Sequence, residues 1–125
     1  MLPFADVPFN RALAFELVES AAGTAVIREA LQPWFAQENG VVHGGIISSV
    51  ADTAAVYALR SSGDAAMTGV EFKINFLRAA RLDGGDLVAR AKTVRRGRTI
   101  GVVDVDVFQG EEHIATGLFT YVFLR

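Results

Sequence analysis

The sequence predicts an α+β fold in which one antiparallel sheet of about six strands curls round one long buried helix. Three observations carry that prediction. Residues 45–61 are almost all apolar or small, and a helix apolar nearly all round is a buried helix. Val70, Phe72, Ile74 and Phe76 alternate with Glu71, Lys73 and Asn75, the period of a half-buried strand. Val103, Val105 and Val107 alternate in the same way with Asp104 and Asp106, and turn residues separate the strand-like runs downstream of the helix. At 125 residues the chain is expected to be one domain, residues 1–125, and a hydrophobic content of 51% supplies ample core.

The elements follow in order. Residues 7–13 read as a short helix or turn, with Pro8 near its first position. Residues 15–20 and 24–31 read as strands joined at Ala22-Gly23, a hairpin, with Arg28 and Glu29 on opposite faces. Residues 32–40 form a loop broken by Pro33, where Trp34 and Phe35 read first as a core plug. Gly63 is the expected stop of the long helix. After the strand at 70–76, strands at 87–95, 99–108 and 114–124 are expected to complete a meander of four, with turns at 83–86, 96–97 and 109–111.

One stretch asks for more than a structural reading. His43-Gly44-Gly45 opens the long helix. The first N–H groups of a helix have no intrahelical partner, and the helix dipole is positive there. Such an end binds an anion or a developing oxyanion, and glycine lets a carbonyl approach the backbone closely. Asp52 is the second oddity, a poor helix-interior residue set among Val50, Ala51, Ala54 and Ala55. Its plain reading is a carboxylate facing a polar crevice or bonded to Ser48, Ser49 or Thr53. Its functional reading is a nucleophile or general base, since an Asp carboxylate is ionised at neutral pH. Asp52 lies about 12 Å along the axis from Gly44 at roughly 1.5 Å per residue. One copy of the helix cannot bring both groups to a single carbonyl, whereas two antiparallel copies can. If both act, the active unit is at least a twofold dimer with its site at the interface.

Gln37, His43-Gly44-Gly45 and Asp52 together resemble the motif of the hotdog-fold acyl-CoA thioesterases of the phenylacetic-acid-degradation type, within the 4-hydroxybenzoyl-CoA thioesterase-like group. The resemblance continues through residues 75–78, with Ala79 where many relatives carry Pro. It implies a hotdog fold and hydrolysis of an aryl- or medium-chain acyl-CoA to the free acid and CoA. The Gly44 or Gly45 N–H would hold the thioester carbonyl and Gln37 would assist. Asp52 of a partner chain would attack or deprotonate water, and His43 would shape the helix start. A hydroxyl near the start of the third strand is also implied, for which Thr68 is the nearest candidate; the alternative hydroxyl site one turn after the acid is Val56 here. Trp34 and Phe35 acquire a second reading as one wall of an acyl pocket. Lys92, Arg95, Arg96 and Arg98 gather around Gly97, plainly a solvated hairpin tip. The resemblance makes them candidates to grip the phosphates of coenzyme A, which Arg forks suit.

Composition narrows the partners. A formal net charge of −2 offers no electrostatic case for nucleic acid or a membrane surface. No Cys is present, and His43 and His113 are too few for a convincing zinc site. No metal or cofactor is expected, coenzyme A being part of the substrate. The first residues lack a basic region and a long apolar run, so neither a secretory signal nor a membrane span is expected, and the cytoplasm is the default compartment. The expected assembly is a homodimer or a tetramer of two dimers. Two rival readings remain: a hotdog enoyl-thioester hydratase, which would need His43 as a catalytic partner to the acid, and a non-catalytic acyl-CoA-binding protein, which would have no need of Asp52.

Overall fold

The computed structural model describes residues 2–124. Its centre is helix α2 (Gly44–Arg60), whose inward face is Ile47, Val50, Ala51, Ala54, Ala55, Ala58 and Leu59. The alanines let the backbone lie close to the sheet, as a densely packed interior requires. A short helix α1 (Pro8–Ala12) precedes strands β1 (Phe15–Ala21) and β2 (Thr24–Glu29). After α2 come β3 (Met67–Phe76), β4 (Leu87–Arg96), β5 (Ile100–Gln109) and β6 (Glu112–Phe123).

All six strands form one sheet in the order β1-β2-β4-β5-β6-β3, every pairing antiparallel. Register shifts in β1, β3, β4 and β6 add local twist and bend the sheet round α2. Val103, Val105 and Val107 of β5 turn inward, as their alternation predicts, with Ile27, Leu87 and Phe119 beside them. At Gly117 a side chain has no room, because a Cβ would come within 2.5 Å of the Lys73 carbonyl oxygen.

The expected meander of four strands is corrected. Only β4, β5 and β6 are consecutive neighbours; β3 lies beyond β6, and β4 pairs with β2. The connection from β3 to β4 is therefore a crossover and not a hairpin turn. It crosses the sheet end on fixed anchors: the buried Gln109 accepts from Arg81 N–H at 3.0 Å and donates to the carbonyls of Arg81 (2.6 Å) and Gly85 (3.0 Å). The β1–β2 hairpin is found as expected, with Ala22 and Gly23 both at positive φ in its turn. In the 32–40 loop only Phe35 is the core plug, 1% exposed, whereas Trp34 is 62% exposed and donates its ring N–H to Gln32 Oε1.

Glu29 is the buried exception. Its carboxyl oxygens have no hydrogen-bond partner among the described residues, and burial pushes the group up to about 8.

Candidate active site

The helix start is assembled by local chain. Asn39 and Gly40 take positive φ, which turns the backbone so that Gln37 N–H donates to Val41 O at 2.8 Å. His43 N–H donates to Phe35 O and Val42 N–H to Ala80 O, both at 2.8 Å, tying the loop down on either side. The His43 ring then caps α2: its Nδ1 accepts the Gly45 N–H at 2.8 Å. This engages one of the two glycine donors and sets the neutral ring's proton on Nε2. The Gly44 N–H has no acceptor among the described residues. Of the two expected oxyanion donors, Gly44 is thus the one left open.

Gly44 and Gln37 line one cleft of about 400 Å³, together with Ile47, Phe76, Leu77 and Arg78. A Cβ at Gly44 would meet the Phe76 ring at 3.1 Å, so glycine is needed here for close approach. Arg78, exposed and paired with Glu112 at 2.5 Å, adds a cation at the rim. Neither Phe76 nor Arg78 is singled out by the sequence as a site residue, although both lie in the 75–78 stretch that carries the resemblance.

Asp52 lines a second cleft of about 410 Å³ with Gly69, Val70, Glu71, Phe72 and Tyr121. The expected helix hydroxyls do not reach it. Ser48, Ser49 and Thr53 each bond back to a carbonyl of their own helix, at 2.9, 2.7 and 2.9 Å. The partner is the Tyr121 hydroxyl on β6, which donates to Asp52 Oδ1 and lies 3.1 Å from the Asp52 carbonyl oxygen. Burial, then the nearby Asp52 charge, hold the Tyr121 proton far above the ordinary phenol range. Nothing local marks Tyr121 in the sequence, since its alternation with Phe119 and Phe123 reads as core.

Thr68 is not brought to Asp52. It pairs with Val122, whereas the adjoining pair, Gly69 and Tyr121, faces the helix, so Thr68 points to the opposite side of the sheet. The basic cluster is likewise divided. Arg96 turns inward, donates to Leu59 O and to Ser62 Oγ (3.4 Å), and stacks over Phe123 at 4.8 Å. It caps the C-terminal end of α2, where cations are favoured. Lys92 stands on the outer face of the sheet, opposite Thr24 and Asp104. Arg95, Gly97 and Arg98 remain together around the β4–β5 turn.

A family model described as the thioesterase superfamily matches residues 39–116, which include the helix start, Asp52 and the strands from β3 into the first part of β6. The chain belongs to the thioesterase superfamily. Among curated relatives, an acyl-coenzyme A thioesterase, PaaI of Escherichia coli, is 30% identical over 120 residues, covering 88% of this chain and 84% of that protein. An esterase-like relative from Deinococcus radiodurans is 42% identical over 81 residues, 65% of this chain; there the chain spans about half of the relative's length, 53%. The solved structure of E. coli PaaI, from the phenylacetic acid degradation operon, superposes with a TM-score of 0.90 at 26% identity, covering 98% of this chain and 88% of that one. The hotdog architecture expected of a thioesterase-superfamily member is the one observed.

Proposed function

We propose that this protein hydrolyses acyl-CoA thioesters in a dimer, each site combining Gln37 and Gly44 of one subunit with Asp52 of the partner subunit. The observation that carries the reading is the placement of the two clefts on β3. Phe76 lines the first; Gly69, Val70, Glu71 and Phe72 line the second. From Val70 to Phe76 is about 20 Å at roughly 3.4 Å per residue, too far for one thioester carbonyl. Yet β3 is an edge strand, with Val70, Phe72 and Phe76 all half exposed. An open, apolar edge invites a second strand. Two β3 strands running antiparallel with their centre near Lys73 would set Val70 opposite Phe76. Each donor cleft would then face the partner's acid cleft.

In that site the Gly44 N–H and the helix dipole polarise the thioester carbonyl and hold the oxyanion, with the Gln37 amide assisting. Asp52 attacks the carbonyl carbon or takes a proton from water that does. Water and the thioester supply the remaining atoms: the products are a carboxylic acid and the thiol of coenzyme A. No metal or other cofactor enters the scheme. Arg95 and Arg98 are the side chains we assign to the phosphates. Their turn begins beside Gly101, which pairs with Arg96 on one side and Tyr121 on the other, so it sits at the acid end of its subunit. Engagement of His43 Nδ1 by Gly45 weighs against the hydratase reading, which needs that ring as a catalytic partner. An acyl-CoA substrate suits the cytoplasmic setting expected from the sequence, and two dimers pairing into a tetramer is the assembly the resemblance implies.

The test is thiol release over a panel of aryl- and medium-chain acyl-CoAs. Asp52→Asn and Asp52→Ala should lower turnover by about 10²–10⁴-fold. Undiminished turnover in either variant removes Asp52 from the mechanism.

A further inference from the structure

Tyr121 is 2% exposed and carries a polar atom that the hydrolysis scheme leaves without a role. Its strand neighbours are glycines on both sides, Gly69 of β3 and Gly101 of β5. Neither presents a side chain to compete for the space, and a Cβ at Gly69 would lie 3.6 Å from the ring. The ring is thus walled in, and its hydroxyl emerges in the acid cleft beside Asp52.

There the hydroxyl meets two oxygens of one residue, Oδ1 of the carboxylate and the main-chain carbonyl oxygen. A contact to both side chain and backbone of the same residue fixes its side-chain torsion. Asp52 is otherwise exposed, and a surface Asp samples several staggered rotamers. With Oδ1 engaged, Oδ2 is the oxygen left for the cleft that Asp52 lines with Gly69, Val70, Glu71 and Phe72.

We propose that Tyr121 is a positioning residue: its hydroxyl holds the Asp52 carboxylate in one rotamer, with Oδ2 directed to the reacting carbon or to the attacking water. This rests on the reading of Asp52 as the reacting acid. Burial supports it, because a phenol that keeps its proton stays a donor at every working pH. Reaction depends steeply on the angle and distance of the attacking group, so loss of the hold acts on kcat and leaves substrate binding alone.

Tyr121→Phe keeps the ring and removes only the hydroxyl. Thiol release by wild type, Tyr121→Phe and Asp52→Asn is measured alongside thermal melts and the oligomeric state. The expected result for Tyr121→Phe is a native melt and assembly, KM within about twofold and kcat lower by roughly 10–100-fold. An unchanged or raised kcat, while Asp52→Asn is inactive, overturns the positioning role and leaves the hydrolysis reading intact. Full activity in Asp52→Asn overturns both.

Discussion

The donor cleft and the acid cleft sit on one helix and are built by opposite means. At the donor cleft, Gln37, His43, Gly44 and Gly45 lie within one short run of chain, and backbone hydrogen bonds at 2.8 Å set their geometry. At the acid cleft, Asp52 depends on a hydroxyl 69 residues away, delivered by the strand next to an open sheet edge. The first is a local device that any correct folding of the loop produces. The second is a tertiary device, and in the proposed dimer it is completed only when another chain covers β3. A groove that must admit water and thioester gains by having one rigid wall and one wall that assembly supplies.

The largest effect should come from breaking the second wall without touching the first. Val70→Glu places a charge on the exposed β3 edge. The variant should sediment as a monomer and lose thiol release by more than about 10²-fold while keeping a native circular dichroism spectrum. A dimeric, active variant would detach the edge from the site.

Mixing sharpens the comparison further. Asp52→Asn chains and Gly44→Val chains should each be inactive, the second because its side chain would crowd Phe76. Co-refolded in equal amounts, they should recover about a quarter of wild-type turnover, since half the dimers then carry one intact site of two. No recovery from well-formed mixed dimers would confine each site to one chain.

Smaller effects probe the donor wall. Gln37→Ala should lower kcat/KM by about tenfold, less than loss of a backbone oxyanion donor, with no change in assembly. A last effect acts on stability and leaves the site chemistry aside. Leu87 pairs with both Glu29 and Gln109, which puts Glu29 at the donor end of the sheet. With its folded value near 8 against 4.5 for the free group, Glu29 binds its proton more tightly in the folded chain than in the unfolded one. Stability is therefore full below the ordinary carboxylate range and declines as pH rises to about 8. The melting temperature should fall over that window in wild type and stay level in Glu29→Gln.

Several parts of this molecule were legible in the chain alone. The buried helix, the alternating strands and the β1–β2 turn follow from period and turn chemistry, which act over a few residues. The glycine helix start and its acid were legible for the same reason, and so was the condition that a second copy is required if both groups act on one carbonyl, because the rise of a helix sets the distance from Gly44 to Asp52. Tertiary structure alone decided the rest. It moved β3 to the far edge, turned Thr68 away from the acid, committed Arg96 to the end of α2, and joined Tyr121 to Asp52. Alternation tells which residues share a face. It does not tell which strand lies next to which, because that choice is made by how whole faces pack on the helix and by the buried Gln109 that anchors the crossover. Hydroxyls and guanidinium groups are then assigned by proximity across the fold, a quantity that residue order does not carry.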